Sequence, residues 1–191
     1  MFPALSRGDN ELVVTLFDHG CPVDLVHKET RETPLVVACR LGNVDLAREC
    51  LKRGALVDPH PGVGQSALQA AVAAGQEACA RLVLETTSYD TVRPNKKTLL
   101  NVASRHGSSG IVDLLLCHGA DLNVVYKDGT TPLHVAARYG NVEALASLLD
   151  AGGDAVIEVQ DNRGNRALHV AAAHGHTSCV KMLLGTAAEP E

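Results

Sequence analysis

Three histidines, His169, His174 and His176, crowd the last part of the chain, and six cysteines are spread along it. A metal site would need such side chains to converge in a tetrahedral or similar shell. Ser66, Ser104 and Ser108 are the hydroxyls that a nucleophilic mechanism would draw on. None stands in a spacing that supplies a general base, and the chain lacks the Gly-x-x-x-x-Gly-Lys loop that cradles phosphate. No catalytic residue, metal or cofactor is therefore expected. Each histidine and serine instead falls at a fixed place in a larger pattern.

That pattern is built around Thr131-Pro132-Leu133-His134-Val135-Ala136-Ala137, which runs on to Gly140. Thr131 suits a helix cap, since its hydroxyl can accept from a free amide of the first turn. Pro132 suits the first helical position, where no N–H is needed. Leu133, Ala136 and Ala137 make one packing face. The leucine recurs as Leu35, Leu68, Leu100, Leu133 and Leu168, at steps of 33, 32, 33 and 35 residues. Seven residues after each comes a glycine: Gly42, Gly75, Gly107, Gly140 and Gly175. Beyond each glycine, apolar residues follow at helical spacing, as in Leu46, Ala47, Cys50 and Leu51, or Ile111, Val112, Leu115 and Leu116. Two helices per period of about 33 residues predict a stacked helical array.

The Thr131–Ala137 stretch, the Gly140-Asn141 turn, and Leu115-Leu116 followed by Gly119-Ala120-Asp121-Leu122-Asn123 resemble the ankyrin repeat family. The resemblance covers nearly the whole chain. It implies an all-α solenoid of stacked helix-turn-helix units with short hairpin-like connecting turns, and a protein that binds partners rather than transforming a substrate. The expected division is residues 1–27, a truncated first repeat; 28–58, a regular one; 59–91, a degenerate one; 92–123; 124–157; 158–186, the last repeat; and 187–191, a tail. In the first repeat, Phe2 to Arg7 is expected to form only a frayed helix, with Leu5, Leu12 and Phe17 poorly covered. The fourth repeat lacks the motif proline and histidine and carries Asn101. The sixth opens on Arg166 without a capping threonine, and Val180 and Leu184 are expected to be partly exposed. Both ends read as pieces of a longer array.

The totals fit this reading. Hydrophobic residues make up 46% of the 191 and aromatics only 3%, which suits thin, alanine-faced helices. Cys39, Cys50, Cys79 and Cys179 fall at core offsets as small buried hydrophobes, whereas Cys21 and Cys117 near helix ends are the expected exposed thiols. The opening Met1-Phe2-Pro3 has no secretory apolar region and no run reaches membrane-spanning length. A cytoplasmic or nuclear protein without membrane insertion is expected.

The net charge is −5, yet the family frame partitions it. In that frame the turn tips and the exposed side of each first helix form a concave binding face. Eleven of the seventeen basic residues fall on or beside it, against fewer acids, among them Glu29, Glu32, Asp128 and Asp161. The resemblance thus implies a basic groove centred on Arg105, Arg138 and Tyr139, with Lys97, Lys127 and Arg163 at the turn tips. Its expected partner is a protein, with an acidic or mixed-charge segment drawn in by the local potential; Arg and Tyr are common anchors. The competing reading is that exposed turns simply carry solubilising charge. Nucleic acid is not expected, because the few aromatics give no stacking platform. Asn123 sits where asparagines of this family resemble substrates of asparaginyl hydroxylation, though such an asparagine also serves to hold its turn. The function implied is that of a non-catalytic adaptor or scaffold. The alternative is a targeting array within a larger protein, such as a ubiquitin ligase.

Overall fold

The computed structural model describes residues 1–58, 65–87, 96–106, 108–152 and 154–186. Among them the secondary structure is helical, with no strand. The chain divides into two compact units, Met1–Pro94 and Asn95–Glu191.

The first unit contains α1 (Phe2–Arg7), α2 (Asn10–Asp18), α3 (Pro34–Leu41), α4 (Val44–Lys52), α5 (Ala67–Ala73) and α6 (Glu77–Thr86). Consecutive helices pack as pairs, α1 on α2, α3 on α4 and α5 on α6. The first helices of the pairs then form one layer, α1–α3–α5, and α4 packs on α6 in another. Thr33 caps α3 by accepting the Val36 N–H at 3.4 Å, and Pro34 takes the first helical position. Ser66 and Gln69 close a reciprocal capping box on α5. Leu5, Leu35, Leu46 and Leu68 are fully buried, each worth about 1.5–3 kcal/mol relative to exposure. The opening segment departs from expectation. Helix α1 ends in a left-handed cap at Gly8, and Leu5 and Phe17 are buried, so of the three residues expected to be poorly covered only Leu12 is exposed. Phe17 also lies under the Arg53 guanidinium, 5.6 Å from the ring centroid.

The second unit contains α7 (Lys96–His106), α8 (Ser109–Cys117), α9 (Pro132–Tyr139), α10 (Val142–Gly152), α11 (Asp154–Ile157), α12 (Ala167–Ala173) and α13 (Thr177–Thr186). It repeats the two-layer order, with α7, α9 and α12 in one layer and α8, α10 and α13 in the other. Within the lengthened connector, Asp154–Ile157 wind into the short α11, whose Val156 and Ile157 are buried. Val180 is half-buried and Leu184 exposed, as expected from sequence.

In three repeats the residue after the turn glycine ties neighbouring helix pairs together. Asn43 and Asn10 exchange side-chain amide bonds. Asn141 donates to the Ser104 and Arg105 carbonyls at 2.8 and 2.6 Å, and His176 Nε2 donates to the Arg138 carbonyl at 2.9 Å. All six cysteines are free. Cys39, Cys50, Cys79 and Cys179 are buried, Cys117 is exposed and Cys21 is only half-buried. Burial pushes the Cys50 thiol up to about 12 and raises that of Cys179. The expected connector at Pro59–Gly64, the stretch 88–95, Gly107 and the tail 187–191 lie outside the described residues.

Candidate protein-binding surface

Two stacked turns in the second unit carry the surface. In the first, Tyr126 N–H donates to the Thr130 carbonyl at 3.0 Å and Gly129 N–H to the Tyr126 carbonyl at 2.9 Å. The Asp128 carboxylate accepts from both the hydroxyl and the N–H of Thr130, at 2.7 and 3.2 Å. The hydroxyl bond chiefly holds that carboxyl below its ordinary range. In the second turn, Asp161 Oδ1 accepts from the Asn165 and Arg163 N–H groups at 2.8 and 2.9 Å, and the Asn165 bond chiefly lowers its pKa. Asn162 stitches the two turns, donating its N–H to the Asp128 carbonyl and its side chain to that of Lys127.

His134 locks these turns to α9. It is fully buried. Its Nε2 lies 3.0 Å from the Asn165 carbonyl, which fixes Nε2 as the donor and leaves Nδ1 to accept from Thr131. The Thr131 hydroxyl and N–H both point at Nδ1, at 2.8 and 3.3 Å. The threonine hydroxyl thus serves the imidazole, rather than acting only as the helix cap expected from sequence. In the fourth repeat the same place belongs to Asn101, whose Oδ1 is buried with no partner among the described residues.

The ends of the first helices complete the surface. Arg105 on α7 lies over the Tyr139 ring at 5.1 Å from its centroid, a cation–π arrangement that orients both groups. Arg138 is exposed and Tyr139 is 46% exposed. A hollow of about 290 Å³ is lined by Arg105, Arg138, Tyr139, Tyr126, Asp128 and Asn101 among others. A second, of about 600 Å³, is lined by Arg138, Arg163, Asp128, Asp161, Asn162 and His174. Arg138 and Asp128 border both, so the two hollows adjoin.

Of the sequence-predicted residues, Arg105, Arg138 and Tyr139 come together in the first hollow, and Arg163 lines the second with Arg138. Lys127 is exposed at its turn tip but lines neither hollow. Lys97 lies in α7, its side chain outside the described part of the structure. Asn123 is exposed, and its turn is closed by its own N–H donating to Asp121 Oδ1 at 2.9 Å, so the holding side chain is that of Asp121. Not every basic residue of the family frame is open: Arg166 pairs with Glu158 at 2.6 Å. Sequence reasoning passed over Tyr126 and placed His174 only as a turn residue. Tyr126 begins the turn that closes on Thr130, just before the motif threonine Thr131, which is the signal that could have found it.

The electrostatics of the two hollows differ. The first presents two guanidinium groups against one carboxylate. The second sets two guanidinium groups against two carboxylates held ionised by their turn bonds. The histidines do not converge: the His174 and His176 rings stack 6.3 Å apart, and each ring also bonds a backbone carbonyl. His169 Nδ1 accepts from the Arg166 N–H. Among the described residues no group of three histidine, cysteine or acidic side chains is placed to hold a metal, and no helix is long and apolar enough to cross a membrane.

A family model described as ankyrin repeats, in three copies, matches residues 1–97, 56–126 and 99–191. The chain is 29% identical over 177 residues to SH3 and multiple ankyrin repeat domains protein 2 of Homo sapiens, covering 91% of this chain and 10% of that protein. It is 34% identical over 110 residues to the probable E3 ubiquitin-protein ligase XBOS31 of Oryza sativa subsp. japonica, covering 58% and 23%. Against neurogenic locus notch homolog protein 2 of Homo sapiens the identity is 31% over 154 residues, covering 80% and 6%. The chain thus spans a quarter or less of the length of each of these relatives.

Proposed function

This chain belongs to the ankyrin-repeat family, whose repeats are protein-interaction modules, and from that premise we propose that its second unit recognises an acidic or mixed-charge protein segment, making the chain an adaptor or scaffold. One observation carries the reading. Arg105 and Arg138 converge on one hollow beside Tyr139, with a single carboxylate among the lining residues. A carboxylate entering there meets two fixed cations, and the turns are tied by hydrogen bonds before a partner arrives, so little ordering entropy opposes binding. Lys127 and Arg163 at the tips add steering, as does Lys97 by its place in α7. The neutral balance of the second hollow favours a segment of mixed charge there. The six free thiols suit a reducing compartment, cytoplasm or nucleus.

The test is a crosslinking pull-down from cell extract that compares the wild type with Arg105→Glu/Arg138→Glu. A partner held by the wild type and lost by the variant supports the reading and names the ligand. A partner held equally by both removes it.

A second reading, an array that targets a larger protein's activity, is favoured by the short span relative to the relatives and by one of them being named as a probable E3 ubiquitin-protein ligase. Purification of the native protein and its intact mass would decide it, since a catalytic domain on the same polypeptide is what this reading requires. The same intact-mass measurement bears on Asn123, which we offer as a hydroxylation site because its amide is exposed; a spectrum with no added oxygen removes that proposal.

A further inference from the structure

The first unit carries a feature unconnected with the surface above. Between α4 and α6 lies a groove of about 360 Å³ lined by Leu51, Val57 and Leu82, with Thr86 at one side and Arg48 and Lys52 at the other. That volume falls within the range of about 300–1,000 Å³ typical of pockets that bury a ligand's side chains. Leu56, between the lining residues Ala55 and Val57, is 51% exposed. Arg48 and Lys52 are one helical turn apart on α4 and both exposed. Neither is within salt-bridge distance of a carboxylate among the described residues. No carboxylate is among the described residues that line the groove. Of the acids close by in sequence, Glu49 pairs with Arg53 at 2.7 Å, and Asp24 accepts the Leu56 N–H at 2.9 Å.

The repeat frame shows that this pair of cations is particular to the place. Arg48 and Lys52 stand six and ten residues after the turn glycine. The corresponding pairs elsewhere are Val14 and Asp18, Arg81 and Glu85, Asp113 and Cys117, Ala146 and Asp150, and Lys181 and Gly185. Only the second repeat places two cations there, and there they flank an apolar floor.

We propose that this groove is a second recognition surface, which takes a protein segment carrying one bulky apolar side chain flanked by acidic residues. The apolar side chain covers Leu51, Val57 and Leu82, and the carboxylates meet Arg48 and Lys52. An apolar segment without acids leaves both cations facing it unpaired, and a basic one is repelled.

The test uses a phage-displayed random dodecapeptide library selected on the whole chain carrying Arg105→Glu/Arg138→Glu, so that the second unit's hollow makes no contribution. Bound phage are counter-screened against the same chain with Arg48→Glu/Lys52→Glu added, and with Arg48→Gln/Lys52→Gln as a milder pair. Circular dichroism melting establishes that each variant folds. The proposal expects recovered peptides that join Leu, Ile, Phe or Met to Asp or Glu, and a loss of affinity of about tenfold or more in the charge-reversed chain. Peptides without that composition, peptides held equally by the parent and the charge-reversed chain, or no recovered peptides would each overturn it.

Discussion

Arg40, Arg105 and Arg138 hold the same place in the repeat, two residues before the turn glycine, yet the two units treat them differently. In the first unit Arg40 is closed off. Its guanidinium makes two bonds to Glu32, at 3.0 and 3.3 Å. In the second unit neither Arg105 nor Arg138 is within salt-bridge distance of a carboxylate among the described residues, and Arg105 rests on Tyr139. The cause is one position, three residues before the motif leucine. It is Glu32 in the second repeat, Lys97 in the fourth and Thr130 in the fifth. The acid neutralises its arginine; the lysine and the threonine do not. A repeat frame therefore fixes where a cation stands, and a single neighbouring residue decides whether it is available to a partner.

The largest expected effect removes the support on which the second unit's surface rests. His134→Ala deletes the bonds to Thr131 and to the Asn165 carbonyl and opens a cavity at a fully buried position, and a cost of about 2–4 kcal/mol in urea unfolding is expected. Gly129→Ala should act at the same place. The residue has φ 78°, and an added Cβ would come within 2.5 Å of the Asn162 backbone nitrogen. Because backbone there cannot swing aside, a loss of about 2–3 kcal/mol is expected. A loss below about 1 kcal/mol for both would mean that the turns are held some other way.

The comparison itself is broken or sharpened next. Arg105→Glu/Arg138→Glu should weaken a partner of the second unit about tenfold or more, whereas Arg40→Glu should leave it unchanged. Equal losses from both would show that an ion-paired arginine is as available as an open one. Thiol labelling then separates the units by reactivity. Cys117 should react first in the native protein and Cys21 next. Cys50, a neutral buried thiol whose pKa is pushed up to about 12, should react only on opening of the first unit. Rapid labelling of Cys50 at neutral pH would place the weaker packing there.

The helix pairs and their order were legible, because leucines at steps of 32 to 35 residues, each followed at seven by a glycine, predict a stacked helical array, and the ankyrin resemblance implies how its units stack. The pairwise contacts of the first helices follow from the same count. Availability of charge was not legible, because it depends on which neighbour a flexible arginine reaches. The repeat frame counts Arg40 and Arg166, with Arg105 and Arg138, among the eleven basic residues on or beside the concave side, and only coordinates show the first two paired with Glu32 and Glu158. The buried α1 was missed for a related reason. Its helix start lacks the motif residues, and the covering of Leu5 comes from long-range packing that a local pattern does not encode.

Asp161, like Asp128, contributes to the pH dependence of the second unit. Its folded pKa is depressed below the ordinary value of 3.8, chiefly by the bond from the Asn165 N–H. A depressed carboxyl adds stability that is present above the unfolded pKa and lost as the pH falls through the folded one. Unfolding midpoints should therefore decline as the pH drops below about 4, and Asp161→Asn should flatten that decline, since the amide oxygen can still accept the turn bonds without titrating. An unchanged slope in the variant would assign the acid sensitivity to other groups.

The smallest expected effect tests the origin of the contrast between the units. The Arg40–Glu32 pair is partly exposed, at 44% and 18% for the two side chains. Solvent screening then limits its coupling to about 0.2–1 kcal/mol in a double-mutant cycle with alanine at each position. Its importance to recognition is out of proportion to that energy, because the same weak bond decides whether the first unit shows an open cation. Glu32→Thr reproduces the residue found at Thr130 and should cost little stability while freeing Arg40. Acidic peptides that bind the second unit should then gain measurable affinity for the first. If they do not, an open arginine is insufficient by itself, and the aromatic support that Tyr139 gives Arg105, absent from the first unit where Ala74 takes the matching place before Gly75, is the residue-level difference between the proposed second-unit surface and the matching face of the first unit.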